Sequence, residues 1–179
     1  LEPHHPAVTL MLLTSLYLKF NHLFEKLEKV IAVTLISSIV IIVFAGTVMR
    51  YVFNNPLEGV DRSATYAMIW LGFIGFQIAT SKLRHIEVEF VKARVSETVK
   101  NWMSVLSNIL AALFFLVLTN ISWEYIVLSQ ELGDVDLVLK IPMWNIILIL
   151  PISFGISAIR FLFNALLLVD VINGKRKEE

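Results

Sequence analysis

Four long stretches without a charged side chain constrain this chain more than any other feature. Each contains nineteen or more residues. A helix of about 20 residues crosses the roughly 30 Å hydrocarbon core of a bilayer. A cleaved signal peptide would be one short apolar stretch near the start, whereas these four are spread along the chain. The sequence therefore predicts an all-α integral membrane protein with four transmembrane helices, at about 30–52, 63–81, 99–123 and 141–169.

Composition agrees with this prediction. The chain has 179 residues, of which 57% are hydrophobic and 17% are charged, whereas soluble domains average about 45–50% and 25%. The formal net charge is zero, which gives no indication of nucleic acid as a partner. The chain has no cysteine, so disulfides, thiolate nucleophiles and cysteine-ligated metals are excluded.

The basic residues set the predicted orientation. Eleven of the 15 lysines and arginines precede the first span, separate the second and third, or follow the fourth. The other two loops contain only Arg50, Arg62 and Lys140. Because cytoplasmic loops are enriched in lysine and arginine, both termini and the middle loop are predicted to be cytoplasmic.

The segment before the first span has a different pattern. Charged residues interrupt residues 10–29, but the apolar ones recur at helical spacing of three and four. This predicts an amphipathic helix on the membrane surface, with packing on another subunit as the alternative. We interpret residues 1–9 as a cloning remnant or disordered start, 30–172 as the transmembrane domain, and 173–179 as a charged cytoplasmic tail.

Groups that carry chemistry are missing from the predicted spans. All four histidines lie outside them, and no aspartate or glutamate lies inside them. Membrane haem sites need ligands within the helices, and proton-coupled exporters use carboxylates there. The sequence also has no glycine-rich phosphate loop and no His-Glu-x-x-His metal motif. We therefore predict no enzymatic activity, no metal site and no cofactor.

The second predicted span carries small residues at helical spacing. Ala67, Gly75 and Ala79 share one stripe, and Gly72 lies on a neighbouring line. Small residues separated by four positions let transmembrane helices approach closely. They are candidates for packing either within this bundle or against a partner subunit, and the sequence leaves both open.

Gln77 in the second span and Asn108 in the third are polar side chains at membrane depth. Buried polar groups need hydrogen-bond partners. We predict that they bond to each other or pack at a subunit contact, while a substrate contact is the less favoured alternative.

Charged groups flank the spans. Arg50 ends the first span, and Asp61 comes just before the second. They are candidates for an ion pair that ties the hairpin, with a snorkelling Arg50 as the alternative. Arg160, near the end of the fourth span, is also predicted to snorkel.

Several short motifs together resemble one family. Arg50 begins a run of eight residues ending at Leu57, and an acid at Asp61 precedes the second span. Other matching segments occur in the same order at 70–73, 85–88 and 141–144, followed by Pro151. The chain resembles the small membrane subunit (the Q subunit, of the DctQ and SiaQ type) of tripartite ATP-independent periplasmic (TRAP) transporters. It departs from that pattern at 58–61, where the family often has a tryptophan and a glutamate.

The resemblance implies a function. Such a subunit lies in the bacterial inner membrane and pairs with a larger membrane subunit that performs sodium-coupled transport. A periplasmic binding protein delivers an organic acid anion, such as a C4-dicarboxylate or a sialic acid. The small subunit would act as a scaffold in the phospholipid bilayer, and its outer acids would help to dock the binding protein: Glu131, Asp134 and Asp136. The alternative is a standalone or homo-oligomeric channel or exporter.

Overall fold

The computed structural model describes residues 6–82 and 96–176, and within these ranges the chain is helical. The five helices are α1 (Pro6–Tyr51), α2 (Val60–Lys82), α3 (Glu97–Glu131), α4 (Met143–Ile147) and α5 (Ile149–Arg176). An isolated bridge between Val135 and Pro142 is the only β-type pairing in these ranges. The all-α prediction is confirmed for this part of the chain. Residues 1–5, the motif at 85–88 and the end of the tail at 177–179 lie outside the described residues.

Three helical segments are long and apolar enough to cross a membrane: Asn21–Tyr51, Val99–Glu131 and Met143–Asp170. They correspond to the first, third and fourth predicted spans. Helix α2 has 23 residues, which is enough for a crossing, but its glycines, hydroxyls and Gln77 make it less apolar than the other three. The second span therefore stays a prediction.

Helix α1 is much longer than one membrane crossing requires. Its 46 residues extend about 69 Å at 1.5 Å per residue, more than twice the hydrocarbon core. The predicted surface helix at 10–29 and the first span belong to this one helix, so a separate amphipathic helix is not confirmed. Residues 6–9 also belong to α1, which begins at Pro6, a residue well suited to a first helical position.

A tight turn joins α1 to α2. Asn54 and Gly59 have positive φ angles of 50° and 86°, a conformation that asparagine and glycine adopt at the least cost. The two helices approach closely next to this turn. A Cβ added to Gly46 would lie 2.5 Å from Val60 Cγ1, so glycine is needed there.

The predicted fourth span is two helices, α4 and α5, separated at Leu148. Pro151 explains the break, because proline has no N–H to donate to the carbonyl of Ile147 and its ring crowds that carbonyl. Helix α5 packs along α3 over most of its length. Ser153 and Ser157 are fully buried, and their small side chains let helices pack closely.

Aromatic rings cluster where α2, α3 and α5 meet. Phe115 is at the centre, with its ring centroid 5.5 Å from that of Phe76 and 5.5 Å from that of Phe161. Phe73 and Phe154 make an edge-to-face pair at 5.7 Å. Aromatic pairs at these distances are favourable beyond the area they bury.

The close approach at Gly46 leads to a prediction about stability. Gly46→Ala places a methyl group against Val60, and overpacking of this kind costs about 1–3 kcal/mol. We expect the variant to have a lower Tm than the parent in detergent. Gly75→Ala is the matched control, since a Cβ there meets nothing within 4 Å and alanine favours a helix over glycine by about 1 kcal/mol. Both substitutions gain the same helix propensity, so a Tm for Gly46→Ala as high as that of Gly75→Ala would contradict the close approach.

Candidate functional sites

The side chain of Arg160 lies inside the protein between three helices. Arg160 is 3% exposed, although it belongs to the membrane-crossing segment Met143–Asp170. Its Nη2 donates to Glu28 Oε1 at 2.7 Å, which makes an ion pair between α5 and α1. The predicted snorkelling of Arg160 is therefore wrong.

Helix α2 and a second residue of α1, Asn21, supply the other acceptors of the guanidinium. Arg160 Nη1 donates to the main-chain carbonyl of Gln77 at 2.6 Å and to its side-chain Oε1 at 3.0 Å. Nη1 also lies 3.4 Å from Thr80 Oγ1, and Nε donates to Asn21 Oδ1 at 3.1 Å. All three guanidinium nitrogens thus have acceptors, and a buried charge requires such acceptors. We call these five residues the arginine cluster: Asn21, Glu28, Gln77, Thr80 and Arg160.

The predicted hydrogen bond between Gln77 and Asn108 is also wrong. Gln77 Nε2 donates to the carbonyl of Ser153 in α5, while its Oε1 accepts from Arg160. Asn108 Nδ2 donates to the carbonyl of Ser104 within its own helix at 2.8 Å. Gln77 is 3% exposed, so it is unsuited to a subunit contact.

Sequence reasoning missed the arginine cluster because its two charged members are far apart in the chain. Glu28 and Arg160 are separated by 132 positions, and Glu28 was assigned to a surface helix. One signal was present, namely an arginine within an otherwise uncharged stretch, which in a membrane protein indicates a partner of opposite charge.

Near the start of α2, Asp136 organises the loop between α3 and α4. Its Oδ1 accepts from the backbone N–H groups of Val138 at 2.9 Å and Leu139 at 2.7 Å. Its other oxygen accepts from the hydroxyl of Tyr66 in α2. The Leu139 N–H, followed by the Tyr66 hydroxyl, lowers the pKa of Asp136, because both hydrogen bonds favour the charged carboxylate.

The same loop packs on the start of α2. A Cβ on Gly59 would lie 2.6 Å from Leu139 Cδ2, so the loop fits against a position that has no side chain. Trp70 Nε1 donates to the carbonyl of Ile146 at 3.1 Å, which joins α2 to α4. These contacts hold the 132–142 loop against the bundle. We call this part the outer cap, because the distribution of basic residues predicts that this end lies outside the cytoplasm.

Two of the three predicted docking acids are accessible. Glu131 and Asp134 are exposed, whereas Asp136 is only 7% exposed and is engaged within the outer cap. The structure also brings Arg50 and Asp61 together, with Nη2 3.2 Å from Oδ2. Both side chains are largely exposed, and pairs of this kind contribute about 0–1 kcal/mol.

The small residues of α2 face away from the bundle. Gly72, Gly75 and Ala79 are exposed, whereas Ala67 is half-buried. A Cβ added to Gly72 or Gly75 would meet nothing within 4 Å. Beside Gly72 is an open apolar groove of about 610 Å³, with walls that include Met68, Phe76, Phe114 and Phe115.

Among the described residues no group of three or more histidine, aspartate or glutamate side chains is placed to hold a metal ion. The fold is that of a helical membrane protein with several apolar crossing helices and a charge buried between them.

The sequence matches a family of transporter components over residues 39–170, that described as "Tripartite ATP-independent periplasmic transporters, DctQ component". This match covers most of the chain, so the chain belongs to this family and the resemblance to TRAP small subunits is confirmed. A protein of Haemophilus influenzae assigned as a TRAP transporter small permease protein is 28% identical over 67 residues. That match covers 37% of this chain and 42% of the relative.

The lowered pKa of Asp136 leads to a pH-dependent prediction. A group whose pKa is depressed by folding stabilises the fold above its ordinary pKa, and this contribution is lost as the pH falls through the folded-state value. We expect Asp136→Asn to lower the Tm at pH 7, because it removes charge-assisted hydrogen bonds. The difference in Tm between Asp136→Asn and the parent should become smaller when the pH is below the ordinary aspartate pKa of about 3.9.

The exposed neighbour supplies the control for this experiment. Asp134→Asn removes the same charge two positions away, from a side chain that the structure leaves exposed. The Tm of this variant should match that of the parent at pH 7 and also below the ordinary aspartate pKa. An Asp136→Asn variant with parental stability at pH 7 would show that its carboxylate does not stabilise the outer cap.

Proposed function

We propose that this chain is the small, non-catalytic membrane subunit of a sodium-coupled TRAP transporter that takes up an organic acid anion, of the C4-dicarboxylate or sialic acid class. The observation that carries this proposal is the family match over residues 39–170, which extends from the middle of α1 into α5. In this role the chain supports a larger transport subunit in the bacterial inner membrane, with both of its own termini in the cytoplasm.

Helix α2 is the fourth membrane span in this proposal. Its 23 residues extend about 34 Å, slightly more than the hydrocarbon core. Within its uncharged part, residues 63–81, the amide of Gln77 is buried and hydrogen-bonded to Arg160 and Ser153, so it costs little in a bilayer. A fourth crossing also returns the chain to the cytoplasm, as the distribution of basic residues requires.

The exposed small residues of α2 are the proposed contact with the large subunit. Gly72, Gly75 and Ala79 are exposed, and a Cβ added to either glycine would meet nothing within 4 Å. Transmembrane helices approach closely over such small residues. The lower apolarity of α2 supports this choice, because a helix covered by protein needs less apolar surface than one covered by lipid.

Affinity purification from the native membrane in mild detergent tests the proposed assembly. We expect a larger membrane protein with many spans to co-purify in stoichiometric amounts, and uptake by the complete system to require sodium. Recovery of this chain alone, or only as a homo-oligomer that conducts ions or solutes when reconstituted, would overturn the proposal in favour of a standalone channel.

Gly75→Leu tests the contact surface within that assembly. A leucine on the open stripe would hold the partner helix away, so we expect a large loss of the co-purified subunit with unchanged yield of this chain. Ala45→Leu is the matched control, since Ala45 is an exposed small residue on α1. Full recovery of the partner with Gly75→Leu would remove this face of α2 from consideration.

The outer acids are proposed to guide the periplasmic binding protein. Exposed charges act mainly on association rate and are screened by salt. We therefore expect a Glu131→Gln/Asp134→Asn double variant to slow uptake at low ionic strength and to approach the parental rate at high ionic strength. Glu124→Gln, an exposed acid within α3, should leave uptake unchanged. Parental uptake by the double variant at low salt would exclude this role.

A further inference from the structure

Helix α1 packs mainly along α2, and it is most deeply buried at two points. Among its described side chains, from Asn21 to Tyr51, only Glu28 and Gly46 are buried. At one end Gly46 lies directly against Val60 of α2. At the other end Glu28 is paired with Arg160 of α5. Most of the helix surface between these points is exposed or half-buried.

The two attachments differ in kind. The contact at Gly46 belongs to the hairpin of α1 and α2, which is also tied by Arg50 and Asp61. The contact at Glu28 reaches across to a helix with which α1 has little other packing, because α1 packs mainly along α2. Arg160 bonds to both Glu28 and Asn21 of α1, so much of the polar contact between α1 and α5 passes through this one side chain.

The ion pair in this link is incompletely satisfied. Glu28 Oε1 accepts from Arg160, but Glu28 Oε2 is buried and has no hydrogen-bond partner among the described groups. Desolvating two charges is costly, and a partly satisfied polar network recovers less of that cost than a complete one. Without Arg160, the carboxylate would be buried and unpaired. It would then either take up a proton or regain water by movement of this end of α1 away from the bundle.

We propose that Glu28 and Arg160 form a latch. It holds the Glu28 end of α1 on the bundle, and when it opens this end separates from α5 while the Gly46 end stays attached to α2. Helices α2, α3 and α5 keep their packing in both states, since the contact of α3 with α5 and the aromatic cluster around Phe115 do not involve α1. This conformational device does not depend on the proposed transport function.

Distance measurements between spin labels test the latch directly. The chain has no cysteine, so labels can be attached at chosen pairs in the full-length protein in lipid nanodiscs. Lys26→Cys with Leu166→Cys reports on the Glu28 end, and Phe44→Cys with Met68→Cys reports on the Gly46 end. All four side chains are exposed, so labelling leaves the core unchanged.

Arg160→Met is the variant expected to open the latch. We expect the Lys26–Leu166 distances to become longer and more broadly distributed, while the Phe44–Met68 distances keep the parental distribution. Glu28→Gln should shift the first pair in the same direction by a smaller amount, because the amide can still accept from Arg160. Arg160→Lys should return the distribution towards the parent, because it keeps a positive charge beside Glu28.

Arg50→Met is the matched control, since it makes the same substitution in the exposed ion pair near the other end of α1. It should leave the Lys26–Leu166 distances unchanged. Parental distances at this pair in both Arg160→Met and Glu28→Gln would overturn the latch. Broadening of both label pairs in Arg160→Met would also overturn it, because Arg160 would then hold the whole bundle and not one end of α1.

Discussion

The burial of one arginine within an apolar helix determines much of how this protein is arranged. A guanidinium removed from water needs acceptors for its N–H groups and an opposite charge nearby. Arg160 finds them on two other helices, at Glu28 and Asn21 on α1 and at Gln77 and Thr80 on α2. Because these groups must meet at one point, the cluster fixes how α1 and α2 are positioned along α5.

The mixed character of α2 follows from this requirement. One side of the helix provides polar groups to the interior, where Gln77, Thr80 and Ser81 are buried. Another side presents Gly72 and Gly75 to the outside without internal contacts. A helix that meets both demands is less apolar than its neighbours. This explains why α2, although it is long enough to cross a membrane, is not among the three most apolar segments.

The sequence predicted those parts of the structure that depend on local pattern, and it failed where distant residues meet. Uncharged stretches located three crossing helices, and Arg50 and Asp61 are only eleven positions apart, within one hairpin. Glu28 and Arg160 are separated by 132 positions and Tyr66 and Asp136 by 70, so no local pattern could pair them. Pro151 was visible in the sequence, but the break that it causes falls three residues earlier, at Leu148.

The buried polar side chains of the arginine cluster and the outer cap bond to other parts of the protein, and this limits the functions they can have. In the described part of the chain Arg160, Glu28 and Gln77 join helices to one another, and Asp136 closes the outer cap. These side chains are engaged within the protein, so they are poorly placed to bind or move a solute. The groups that are accessible to other molecules lie on surfaces, and they include the open face of α2, the apolar sides of α1 and the exposed acids Glu131 and Asp134. A polar interior that joins helices, with accessible groups on the surface, supports the proposal that this chain assists a transport subunit and does not form the pathway itself.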